Sequence, residues 1–207
     1  MSTNQQAFHH RVRTLCECAI MVALATVLSM IKVYDAPYGG SVTLLSMAPI
    51  IVLSMMGGIK VGLAAGFANA LVQLLLGLNN VAWVPTAWGI VLCIVLDYLL
   101  PFTALGLGGM FRRVRFTSRT AANTIFAALL GTVVVTGFRF LCHIVSGAVI
   151  WYSLNLEWYA GDPAHIVHQY GPWLFSLIYN ATFMVPEILE TCIGVPLLCL
   201  GLKRVNW

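Results

Sequence analysis

Charge is what this sequence has least of. Only 9% of its 207 residues are Asp, Glu, Lys or Arg, against about 25% in an ordinary soluble domain. So few charges cannot cover the surface of a soluble globule of this size. The 60% hydrophobic content rules out a disordered chain. Eleven basic residues against seven acidic ones leave a net charge of +4, too thinly spread for a nucleic-acid footprint. Catalytic signatures are also missing. There is no glycine-rich phosphate loop, no HExxH, no GxSxG and no nucleophile set beside a base. The six cysteines fall inside apolar runs at no metal-like spacing and read as small hydrophobes. An integral membrane protein that is not an enzyme is the expectation.

A helix needs about 20 largely apolar residues to cross about 30 Å of hydrocarbon. Apolar runs at 14–33, 42–56, 59–78, 88–110, 121–151 and 173–202 follow one another along the chain. None shows the two-residue alternation of a barrel strand. The expected fold is all-α, one bundle of six transmembrane helices formed by residues 1–207 as a single domain. Residues 1–12 form a cytoplasmic N-terminal tail and residues 152–172 an extracellular loop in this reading.

Charge placement supports an even count. With six crossings, the termini, the 57–60 turn and the 112–119 loop share one side. That side collects Arg11, Arg13, Lys60, Arg112, Arg113, Arg115, Arg119, Lys203 and Arg204, nine of the eleven basic residues. The other side holds Asp35, Glu157 and Asp162, with only Lys32 as a nearby cation. Lys and Arg prefer the cytoplasmic side, so both termini are expected inside, in a cell membrane. The first run and Ala23-Leu24-Ala25 look superficially like a secretory signal, but the apolar run continues to Val33 and cleavage would leave five spans.

Ionisable groups inside a span are costly and therefore informative. Glu17, in the first turn of the first run, reads as a solvated helix end. Arg139, His143, Gly147 and Trp151 recur every four residues and form one stripe on one helix face. At ~1.5 Å per residue, His143 lies ~12 Å and Arg139 ~18 Å inward of Trp151. Asn180 lies ~10 Å and Glu187 ~21 Å inward of Trp173, and Asp97 ~13 Å inward of Trp88. Two layers result. Arg139 and Glu187 share the lower one, where the simplest reading is a structural ion pair with no ligand role. Asp97, His143 and Asn180 share the upper one, surrounded by Tyr98, Trp151, Phe175 and Tyr179. An interfacial aromatic belt explains some of these rings. A carboxylate beside ring faces is equally what a flat organic cation requires. His165 and His168 with Asp162 are too few ligands for a metal site and read as solvated.

The segments Gly39-Gly40-Ser41-Val42-Thr43-Leu44, Arg139 to Gly147 and Ser176-Leu177-Ile178-Tyr179-Asn180, with Leu96-Asp97-Tyr98, resemble the thiamine-specific S component of energy-coupling-factor (ECF) vitamin transporters. The resemblance covers about residues 12–203. It implies a subunit that captures thiamine on the outer face and associates with a transmembrane coupling subunit and two ATPases. The chain itself then needs no cofactor, since ATP is used by the partners. Asp97 would face the thiazolium, with Tyr98 beside it. His143, Gly147 and Trp151 would line the site with Phe175 and Tyr179, and Asn180 would bond the aminopyrimidine. The 34–40 loop would form a lid carrying Tyr34 or Tyr38. Ala19 and Ala23 resemble the small-residue motif used against the coupling subunit; residues of that size, four apart, let another helix approach closely. Asp97 stands where the family commonly has Glu, Phe175 where it has Tyr, and the stretch 85–97 is longer than usual, which leaves a thiamine precursor or analogue open as ligand. The outer loops hold almost no Lys or Arg, against a phosphorylated ligand. The alternative is a stand-alone proton-coupled carrier of a small organic cation or thiamine precursor, using Asp97, His143, Arg139 and Glu187 as a relay.

Overall fold

The structure is a computed structural model and describes residues 3–203 apart from 38, 116 and 118. Five helical stretches, Gln5–Met30, Ile59–Leu76, Ala87–Phe111, Thr120–Trp158 and Pro172–Leu202, are long and apolar enough to cross a membrane. The chain opens with α1 (Thr3–Met30), so most of the expected tail is helical. Residues 3–13 contain no Gly or Pro to stop it.

The second expected span is not a full-length helix. After α1 the chain turns through an antiparallel hairpin, β1 (Lys32–Asp35) and β2 (Ser41–Thr43), in which Tyr34 pairs with Val42 and Asp35 with Ser41. Gly39 and Gly40 take φ of +94° and +87° at its tip, where side chains are strained. Helix starts only at α2 (Ala48–Gly57), with Pro49 in its first turn, the place in a helix that tolerates proline. Ala48 to Ser54 are all buried. A helix buried all round shows no polar face, so its residues look like a membrane span although only ten are helical.

Gly58, at φ +90°, reverses the chain into α3 (Ile59–Leu76), followed by the short α4 (Leu78–Ala82). Ser54 ties this region together. Its hydroxyl donates to the Gly106 carbonyl and accepts from the Gly109 amide at 2.8 Å. A Cβ on Gly62 would collide with Ser54 and with the Gly106 backbone, the close approach that small residues permit between membrane helices.

The fourth long stretch is composite: α5 (Ala87–Cys93), a π turn over Ile94–Leu99, α6 (Leu100–Ala104) and a 3₁₀ segment over Leu105–Phe111. Pro101 accounts for the π turn. It has no N–H for the Asp97 carbonyl four residues back, so the ladder slips there, and Leu100 N–H bonds Val95 instead. The fifth is α7 (Thr120–Ser146), a second π turn over Gly147–Trp151 and α8 (Tyr152–Trp158). The expected outer loop therefore begins seven residues later, because no Gly or Pro interrupts Tyr152–Trp158. It contains one helical turn, α9 (Ile166–Gln169), before α10 (Pro172–Lys203).

The main core forms around α2, with Met47, Ile50, Ile51, Val52 and Leu53 against Ala25, Ala65, Leu105, Ala128, Val135 and Val195. Helix α1 touches it through Ala25, with Cys18, Met21 and Val22 packed alongside, while Ala19 and Ala23 are both exposed.

Candidate functional site

The two π turns meet at the wall of a cavity of about 470 Å³. Asp97 and Tyr98 come from the first, and Gly147 and Trp151 from the second. Asp97 is held by three donors. Ser146 Oγ donates to Oδ2 at 2.7 Å and Trp151 Nε1 to the same oxygen at 3.0 Å, while His143 Nδ1 meets Oδ1 at 3.2 Å. Arg139 Nε donates to His143 Nε2 at 3.3 Å. A guanidinium can only donate, so Nε2 is the accepting nitrogen in this contact and Nδ1 is the one that faces Asp97. The His143 ring is thus oriented from both sides.

The stripe on the fifth long stretch is longer than its sequence pattern suggested. Arg139, His143, Gly147, Trp151 and Asn155 all line the cavity. Four residues overshoot a 3.6-residue turn by about 40°, so five such positions would drift off one face of a regular helix. The wider π turn takes up part of that drift. Two donors from α10 meet carbonyls at its start: Asn180 Nδ2 bonds the His143 oxygen at 3.2 Å and Ser176 Oγ the Ile144 oxygen at 2.7 Å. Gly147 makes this approach possible, because a Cβ there would collide with Ser176 and lie 3.0 Å from Asn180 Nδ2. Its role in the structure is close packing as much as lining.

Asn180 commits its Nδ2 to the His143 and Ser176 oxygens, which leaves its carbonyl oxygen as the group it can offer a ligand. Phe175 is buried and stacks with Tyr179 at 16° between planes. Tyr179 donates to the Gly39 carbonyl at 2.8 Å and so ties the hairpin tip to α10. Tyr98 donates to the Gly77 carbonyl at 3.1 Å and shapes the turn between α3 and α4. Every one of Asp97, Tyr98, His143, Gly147, Trp151, Phe175, Tyr179 and Asn180 lines this one cavity. Tyr38 lies outside the described residues, and Tyr34 is not among the lining residues.

Arg139 and Glu187 meet as the expected ion pair. Both line the same cavity. Their nearest charged atoms, Arg139 NH1 and Glu187 Oε2, are 3.9 Å apart, and neither atom makes a hydrogen bond. The guanidinium lies 4.3 Å over the Phe102 ring. Glu187 spends its other oxygen on the hairpin, accepting from Thr43 N at 2.7 Å and Thr43 Oγ1 at 2.5 Å. One turn on, Glu190 accepts from Leu45 N at 2.9 Å, so it holds the connection into α2.

Sequence reasoning missed Ser146, Asn155, Ser176, Phe102 and Phe183, which also serve this site. Asn155 had a visible signal, being the next step of the four-residue repeat, and Phe102 had none. Trp83 packs edge-on against Trp151, with centroids 6.5 Å apart. In the outer loop, His165 Nδ1 accepts from Val167 N, and His168 Nε2 lies 2.7 Å from the Tyr159 carbonyl oxygen. Glu17 pairs with Arg13 at 2.8 Å on an exposed face, where such a pair adds little.

Comparison with known proteins adds three findings. Thiamine transporter ThiT of Bacillus subtilis (strain 168) is 33% identical over 196 residues, covering 92% of each chain. A solved structure of ThiT from Listeria monocytogenes superposes with a TM-score of 0.72 at 23% identity, over 95% of this chain and 98% of that one; it supports the fold. Residues 15–206 match the family described as thiamine transporter protein (Thia_YuaJ). A helical membrane fold enclosing a polar, aromatic-walled cavity accords with that match, and the chain belongs to the thiamine transporter protein family.

Proposed function

We propose that this chain captures thiamine from the outer side of the membrane and passes it inward as the substrate-binding subunit of an ECF transporter. One observation carries the ligand assignment. The charged residues lining the cavity are Lys32, Arg139, Asp35, Asp97 and Glu187, two cations against three carboxylates. Asp35 sits 2.9 Å from Lys32, and Glu187 faces Arg139. Asp97 meets Ser146, Trp151 and His143 and has no Lys or Arg paired with it among the described residues. The cavity thus holds one unbalanced negative charge, placed beside an indole, which suits a flat monovalent cation.

In this reading the thiazolium lies by Asp97 and His143, the aminopyrimidine reaches the Asn180 carbonyl and stacks by Trp151, and the hairpin closes over both. The hairpin and α2 together form the second crossing, so the chain crosses six times and places both termini, with most of its Lys and Arg, on the cytoplasmic side. Exposed Ala19 and Ala23 on α1 form a small-residue surface for the coupling subunit, and ATP is hydrolysed by partner ATPases. Titrating the purified protein with thiamine while following tryptophan fluorescence tests the capture step. Saturable quenching at micromolar thiamine or below is expected, and its absence refutes the assignment. Uptake into vesicles driven by a pH gradient, with no ATPase present, would refute the energising scheme instead.

A further inference from the structure

The end of the bundle away from the ligand cavity carries a small cleft of its own. It holds about 200 Å³ and is lined by Ile59, Gly109, Met110, Arg112 and Arg113. Ile59 opens the 18-residue helix α3, and Gly77, just past its other end, lines the ligand cavity. At ~1.5 Å per residue the two lie ~27 Å apart along the helix, close to the thickness of the hydrocarbon. The cleft therefore sits at the opposite membrane surface, the cytoplasmic one in the orientation proposed above.

The charge at this end has no counterpart in the protein. Lys60, Arg112, Arg113, Arg115 and Arg119 belong to its two connections, and the chain has no Asp or Glu between Asp35 and Asp97 or between Asp97 and Glu157. Among the described residues, the ion pairs belong to Arg13, Lys32, Arg139 and His143 instead. Arg112 is also held in place. Its NH1 donates to the Met56 carbonyl at 3.3 Å, and a Cβ on Gly58 would lie 2.9 Å from the same nitrogen. The guanidinium thus lies across the turn from α2 to α3 and keeps most of its N–H groups for another acceptor. In the same cleft, Met110 is 57% exposed and Ile59 38%.

An apolar floor beside two guanidinium groups, at the level where helices leave the hydrocarbon, matches one amphipathic molecule. We infer that this cleft seats an anionic phospholipid of the cytoplasmic leaflet. The lipid phosphate accepts the forked N–H groups of Arg112 and Arg113, and the glycerol and first chain carbons cover Met110 and Ile59. A zwitterionic lipid fits less well, because its ammonium would face the same five cations. Only the orientation of the chain is taken from the function proposed above.

The test uses the full-length protein in neutral detergent micelles that contain equal amounts of phosphatidylglycerol and phosphatidylcholine with the same acyl chains. Native mass spectrometry counts the lipids that stay bound. The parent should retain phosphatidylglycerol over phosphatidylcholine by about tenfold or more, as expected for two basic side chains at a membrane surface. Arg112→Gln/Arg113→Gln should remove most of that preference, whereas Arg115→Gln/Arg119→Gln, with the same loss of charge outside the cleft, should change it less than about twofold. Should the first pair fail to fold, Arg113→Gln alone, which leaves the Met56 bond in place, should still lower the preference about threefold. Equal losses from the two pairs, or no preference in the parent, overturn the cleft as a lipid site. So does displacement of the lipid by inorganic phosphate, which would make a free anion the occupant. Thiamine titrated into the same samples should bind parent and variants alike. A parent that selects the lipid but binds no thiamine overturns the thiamine reading alone.

Discussion

Replacing Asp97 by Asn is the sharpest test of the charge balance in the cavity. At an effective dielectric of about 20, unit charges 4 Å apart interact by about 4 kcal/mol. Desolvation offsets part of this, and hydrogen bonds to charged groups are worth about 1.5–3 kcal/mol net. Thiamine affinity should therefore fall by about 10- to 150-fold. The substitution also touches stability. The carboxylate serves Ser146, Trp151 and His143, whereas an amide offers one oxygen and turns an N–H₂ toward the remaining donors. One buried donor left unpaired costs about 1–3 kcal/mol, readable as a lower thermal midpoint. To separate the two effects, the titration uses thiamine and a neutral analogue with a thiophene ring in place of the thiazolium. Asp97→Asn should weaken the cation selectively and change the neutral analogue less than about threefold. Asp97→Glu, which keeps the charge one methylene further out, should retain most of the cation preference. If Asp97→Asn binds thiamine as tightly as the parent, the unbalanced carboxylate is not what recognises the ligand.

Other substitutions probe separate parts of the structure. Gly40→Val should abolish binding, because even a Cβ at this φ of +87° would sit 2.5 Å from the Phe183 ring; titration of folded protein checks it. Trp151→Phe keeps an aromatic wall but removes the 3.0 Å bond to Asp97, and should cost a few-fold in affinity, about 1 kcal/mol, measured by calorimetry. Thr43→Val removes the hydroxyl that donates to Glu187 and should lower unfolding stability by about 1–3 kcal/mol. Ala19→Leu with Ala23→Leu should leave thiamine binding intact and abolish uptake in cells that supply the coupling subunit, since the added bulk keeps another helix away.

The membrane character and the helical stretches were legible because continuous apolar runs have one common meaning at this length. The 42–56 run misled for a physical reason. A segment buried on every side by its own protein is as apolar as one facing lipid, so composition could not reveal that Val42 lies in a strand and Ile50 in a core helix. The Arg139 to Trp151 repeat exposed the site face from sequence alone. Its continuation to Asn155 was hidden by the assumption that the span ends at a tryptophan. The π turn at Asp97 had a signal in Pro101, four residues on. The relation of Arg139 to Glu187 was half legible: depth counting put them at one level, but only side-chain geometry shows the pair stopping short of a hydrogen bond and opening into the cavity.

The hairpin is fastened unequally at its two ends. Its base is anchored by the Glu187 and Glu190 carboxylates, while its tip is tied to α10 by the Tyr179 to Gly39 bond. A neutral hydrogen bond of this kind is worth about 1 kcal/mol net, and a loop of this size fluctuates in nanoseconds to microseconds. Outward opening would break that bond and uncover Ala36 and Val42, which are buried in one cluster with Phe183 and Met184, while leaving the helix scaffold in place. The dwell time of a captured molecule is then set jointly by its own grip on the side chains around it and by this apolar seal between hairpin and helix.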